Sequence, residues 1–122
     1  MVLLLKGETI IQQGRGRIFD SNGQPVKLDG ELYLTNMRII FEREEGFFSK
    51  KRDIFLNFSI DSLNNVGVES KFLSGNYLTL QFKYVLEERV RQIEGQVSYY
   101  KTSIAIQDPS SWEEKIRNVF SR

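Results

Sequence analysis

Gly30-Glu31-Leu32-Tyr33-Leu34-Thr35-Asn36-Met37-Arg38-Ile39-Ile40-Phe41-Glu42 is the stretch that decides the fold. Two apolar runs face each other across Thr35-Asn36. In the first, Leu32 and Leu34 point one way and Glu31, Tyr33 and Thr35 the other. In the second, Met37, Ile39 and Phe41 alternate with Arg38, Ile40 and Glu42. A period of two on both sides of a short polar break is the pattern of a β-hairpin with one buried face. Asn accepts the left-handed backbone of a tight reversal, which predicts Asn36 as the turn residue.

Downstream, residues 43–52 read as a loop, and Ile54, Leu56, Phe58 and Ile60 alternate with Asp53, Phe55, Asn57 and Ser59 as a half-buried strand. Asp61 to Asn65 is a connector with Leu63 tucked beneath it, and Val66 and Val68 open a strand to about Lys71. Ser74-Gly75-Asn76 is a turn. Tyr77 to Leu86 carries Leu78, Leu80, Phe82 and Tyr84 on one face, and Val97 to Gln107 is the last strand. Residues 87–95 fit either a helix or an extension of both flanking strands that turns at Glu94-Gly95; the position of Gly95 between two strands favours the extension. Upstream, Thr9 to Gln13 and Arg15 to Phe19 are extended pieces that end at the turn cluster Asp20-Ser21-Asn22-Gly23. Gly14 and Gly16 lack the rest of a phosphate loop and predict a bulge or sharp twist.

The chain ends in a helix. Asp108 or Ser110 is its cap, Pro109 suits the first turn, and Ser110 with Glu113 matches a capping box. Trp112, Ile116, Val119 and Phe120 form one apolar stripe, with Glu113 and Arg117 able to pair on the wet side. About seven short strands followed by one helix imply a mainly β sandwich or partly open barrel, stoppered by that helix. The 122 residues suffice for one domain, 1–122, with a single core.

Composition narrows the function. Lys plus Arg number 17 against 16 Asp plus Glu, so no basic excess marks a nucleic-acid partner. With neither Cys nor His, disulfides are excluded and so are the usual zinc ligands and general base. No acidic run has the spacing of a metal loop, and the expectation is a non-enzymatic protein without cofactor or metal. The apolar run from Met1 to Leu5 is too short for a signal peptide or a membrane span and predicts a first strand or turn over the core, in a cytoplasmic protein.

The hairpin stretch resembles the G-x-L-x-L-T-N-x-R-h-h-F signature of GRAM domains, their small bacterial relatives and the GLUE domains of endosomal sorting, all of the pleckstrin-homology (PH) superfold. Gly7-Glu8, the run Phe58 to Val66 and the helix after Asp108-Pro109 extend the resemblance over residues 7–120. It implies a seven-stranded, strongly bent antiparallel sheet closed at one end by the C-terminal helix. It also implies a non-catalytic module or adaptor that binds phosphoinositides, other lipids, ubiquitin or peptides. Thr35 and Arg38 match the signature but read as structural, since an Arg beside a hairpin turn more often caps carbonyls or pairs with an acid.

In a PH-like arrangement residues 21–28, 44–52 and 87–96 share one rim. There Phe47 and Phe48 precede Lys50, Lys51 and Arg52, with Lys27, Arg89 and Arg91 on the neighbouring loops. Apolar residues beside cations are what a peripheral contact with anionic lipid requires. Glu44, Glu45, Glu87, Glu88 and Glu94 dilute that charge, and a Lys-Lys-Arg run is ordinarily a solvated loop. The alternative is a protein-interaction module. It would take a peptide in the groove between the helix and a sheet edge, bind a ubiquitin-like partner on a patch around Phe55 and Phe72, or self-associate by a strand edge.

Overall fold

The computed structural model describes residues 2–45, 51–71, 73, 75–85 and 97–121. Seven strands are followed by one helix: β1 (Ile10–Ser21), β2 (Gln24–Thr35), β3 (Arg38–Glu45), β4 (Lys51–Ser59), β5 (Leu63–Lys71), β6 (Gly75–Val85), β7 (Val97–Ile106) and α1 (Pro109–Phe120). A single 3₁₀ turn, Ile60–Ser62, joins β4 to β5. All pairings are antiparallel within one sheet of order β4-β3-β2-β1-β7-β6-β5. The sheet is not a closed barrel, because β4 and β5 are both edges. It is nevertheless folded over on itself: Phe58 of β4 stacks on Phe82 of β6 with ring centroids 4.3 Å apart, although four strands separate them in the sheet. One core fills the fold, from Ile18, Leu34, Ile39, Phe41 and Leu56 across to Leu78, Leu80, Phe82 and Ile104.

The hairpin pairs Leu34 with Ile39, Tyr33 with Ile40 and Leu32 with Phe41, so the inner face is as its alternation predicts. Its turn works differently. Asn36 is not left-handed; its side chain ties the turn to the chain's start instead, Oδ1 accepting from Thr9 N at 2.8 Å and Nδ2 donating to Gly7 O at 3.0 Å. The Thr35 hydroxyl accepts from the Met37 and Arg38 amides at 3.0 and 2.9 Å, a side-chain turn that replaces a glycine.

Two bulges alter the faces read from strict alternation. Phe55 is an extra residue in β4, because Phe41 and Glu42 pair with Leu56 and Ile54. One added residue reverses the side-chain sense beyond it. Phe55 therefore packs against the core rather than offering an outward patch, and Ile54 is turned out, 47% exposed. Phe19 bulges β1 against β7 and stands outside, edge-on to Tyr77 and under Lys71. Gly14 and Gly16 are not the bulged positions. A Cβ on Gly14 would press on the Trp112 ring, and one on Gly16 would press on Ile104 and the Ala105 carbonyl. Their lack of a side chain lets α1 and β7 come close.

The two short pieces before Asp20 are one strand, and residues 24–29 are strand rather than loop. Only Asn22-Gly23 turns between β1 and β2; both have positive φ (53° and 88°), as a type I′ turn requires. In α1, Asp108 is the cap, its carboxylate accepting from Ser111 N at 3.4 Å, and Glu113 bonds Arg117 instead of closing a capping box. Trp112, Ile116 and Val119 are buried while Phe120 stays half exposed. The choice between helix and strand for 87–95 lies outside the described residues.

Candidate functional site

Among the described residues β5 pairs only with β6, leaving its other side open beside α1, which packs on β5 and β6. The packing follows from sequence: Trp112, Ile116 and Val119 on the helix and Leu63 and Val66 on the strand all enter the same core. Burying that stripe leaves Arg117 and Phe120 at its margin, above the strand edge. There they line a groove of about 280 Å³ with Leu63, Asn64, Asn65, Val66 and Ser121. Arg117 Nη2 donates to the Val66 carbonyl at 2.6 Å and also reaches Glu113 at 3.3 Å. In an antiparallel edge strand the N–H and C=O of one residue point to the same side and successive residues alternate. With Val66 O turned to the helix, the backbone groups of Val68 and Ser70 face the same open side. Gly67 faces β6, where its carbonyl accepts from the Thr79 hydroxyl. Phe120, 49% exposed, supplies the groove's apolar wall.

The expected rim site is only partly in view. Phe47, Phe48, Lys50, Arg89 and Arg91 lie outside the described residues, as does Phe72. Lys51 and Arg52 open β4 rather than sitting in a loop, because β3 and β4 pair out to Glu45 and Lys51. Arg52 turns to Glu42 (3.3 Å) and Glu44 (3.7 Å), so its charge is held within the sheet surface. Lys27 is an exposed strand residue of β2. The register does send the β1–β2 turn and the β3–β4 and β6–β7 connections off the same end of their strands.

A second feature sits on the outer face. The first residues cover not the main core but a separate cluster, where Val2 packs with Tyr33 and Ile40. Glu8 then turns inward and its buried carboxylate takes four bonds: Arg38 Nε at 2.8 Å and Nη2 at 3.0 Å, the Thr35 hydroxyl at 2.7 Å and Leu5 N at 2.8 Å. The Arg38 hydrogen bonds, seconded by the Leu5 amide, Thr35 and the guanidinium charge, outweigh the opposing cost of burial and hold the Glu8 pKa down at about 2. Arg38 also donates to Leu3 O at 2.7 Å. Arg38 and Thr35 are thus structural, as expected of them. Between the two inward anchors, Leu3, Leu4 and Leu5 are 88%, 46% and 57% exposed. Sequence reasoning missed both Phe120 and these leucines, since a periodic apolar residue reads as buried whether or not a neighbour reaches it.

Further hollows among the described residues lie on the outer face around Phe19, Tyr77 and Lys101, and between Leu3 and the Arg52–Ile54 stretch, the latter about 290 Å³ in volume. Among the described residues no three potential metal ligands come together, and no helix is long and apolar enough to cross a membrane. No family model and no curated protein matches this chain.

Proposed function

We propose that the chain is a non-catalytic docking module of the PH kind, and that its ligand is an extended peptide laid along β5 under α1. The observation that carries this reading is the Val66 carbonyl, turned out of the sheet and bonded by Arg117 at 2.6 Å. The guanidinium stands where the first N–H of an added strand would stand, and a long, half-exposed side chain can yield that place. Main-chain bonds to Val66, Val68 and Ser70 would give affinity, and a side chain seated between Leu63 and Phe120 would give selectivity. The absence of His and Cys from the sequence fits a surface that binds and does not react. The bent sheet, its strand order and its terminal helix are consistent with the PH resemblance of the hairpin.

Selection from a random-peptide display library tests the proposal. Peptides enriched on the wild-type chain are expected to lose binding to Phe120→Asp and to Val68→Pro, which removes an N–H from the open side of β5 and leaves the ladder to β6 intact. Enriched peptides that bind both folded variants undiminished would overturn it, as would a selection that enriches nothing.

A further inference from the structure

Three consecutive leucines are displayed in water by a turn that is anchored on both sides. Val2 is buried against Tyr33 and Ile40 on one flank, and Glu8 is buried on the other. The backbone between them is bonded to the fold: Leu3 O accepts from Arg38, Leu5 N donates to Glu8, and Leu5 O accepts from Glu8 N at 3.0 Å. Gly7, with φ +80°, closes the turn, and its carbonyl accepts from Asn36. Leu3, Leu4 and Leu5 are therefore held outward and cannot retreat into a core without breaking the bonds that Leu3 and Leu5 make with Arg38 and Glu8. Ile54, turned out by the β4 bulge, lines the same hollow as Leu3 and widens the apolar surface.

We propose that this turn is a membrane wedge, with Leu3, Leu4 and Leu5 entering the interfacial layer of a bilayer that carries anionic lipid and Lys6 meeting the headgroup phosphates. Shape and charge favour a bilayer over a protein partner. The leucines protrude, all are aliphatic, and Lys6 stands exposed beside them. The turn's one acid, Glu8, faces inward and is neutralised by Arg38, so the charge offered outward by residues 3–8 is the single positive charge of Lys6. Asp53, which lines the same hollow as Leu3 and Ile54, is paired with Arg43 at 2.8 Å, and apolar residues flanked by the cation Lys6 suit the boundary between headgroups and acyl chains. The wedge lies on different elements from the β5 groove and does not rest on the peptide reading.

The test uses the whole chain with vesicles of phosphatidylcholine alone and of phosphatidylcholine with about a third phosphatidylserine. Leu4→Trp provides a reporter against the constant signal of the buried Trp112. Its emission is expected to shift to the blue on the anionic vesicles and to be quenched by brominated acyl chains. The triple variant Leu3→Ser, Leu4→Ser, Leu5→Ser should weaken vesicle binding by about tenfold or more, and Lys6→Glu by a smaller, salt-dependent factor. Phe120→Asp should bind vesicles as the wild type does, which separates this site from the peptide groove. No blue shift on either vesicle, with thermal melting showing the variant folded, would overturn the proposal. So would a concentration-dependent dimer that the triple variant dissolves, since a second copy would then cover the leucines.

Discussion

Glu8→Gln is the perturbation whose outcome can be worked furthest from the structure. In the fold the Glu8 pKa lies at about 2, against an ordinary 4.5, because its carboxylate takes two bonds from Arg38 besides those from Thr35 and the Leu5 amide. That gap corresponds to about 3 kcal/mol of folding stability that depends on the carboxylate being ionised. The folded pKa lies below the unfolded one. The contribution is therefore complete above about pH 4.5 and is lost as pH falls toward 2, with about 2 kcal/mol gone by about pH 3. The glutamine variant has no such dependence and leaves Arg38 short of its counter-charge. It should be less stable than wild type by about 2 to 3 kcal/mol near pH 7, at the low end for a broken buried pair because Arg38 keeps some access to water. Urea unfolding of both proteins at several pH values between about 7 and 3 reads the difference. Asp29 and Asp53 are also held low, by Arg17 and Arg43, but both proteins carry them and their effect cancels. The two stability curves should converge by about 2 kcal/mol toward pH 3. Parallel curves would refute the role given to the Glu8–Arg38 pair.

Gly30→Ala should cost about 3 kcal/mol in urea unfolding, the upper end for overpacking, because its Cβ would overlap the Glu42 carbonyl and crowd the Phe41 ring. Gln12→Leu should be neutral or stabilising by up to about 1 kcal/mol in the same assay, since Gln12 Oε1 is buried without a hydrogen-bond partner among the described residues. Asp108→Ala should lower stability by about 1 to 2 kcal/mol, losing the cap and placing a Cβ residue without a side-chain bond at φ 53°; Asp108→Gly should cost less.

The inner faces of the strands were legible because each depends on local alternation alone: Leu32, Leu34, Ile39, Phe41, Leu78, Leu80 and Phe82 are all buried as their spacing predicts. The α1 stripe was legible for the same reason, up to Phe120. Bulges were not legible. Phe55 and Phe19 carry no residue-type signal for an extra backbone position, and one such position moved Ile54 from the core to the surface. Nor did the sequence announce that Asn36 acts through its amide, because its partners, Gly7 and Thr9, lie 29 and 27 residues away. The candidate sites were the least legible part. Exposure of Phe120 and of Leu3 to Leu5 is set by where other elements stop, and the pairing of Arg52 with Glu42 and Glu44 is set by strand register.

Amide hydrogen exchange along β5, with and without a peptide enriched by display, tests the docking proposal most directly. The account predicts that the Val66, Val68 and Ser70 amides, which face the open side, slow on binding while those of Gly67 and Glu69, already bonded to β6, change little. Protection that leaves β5 untouched and falls elsewhere on the sheet would contradict it.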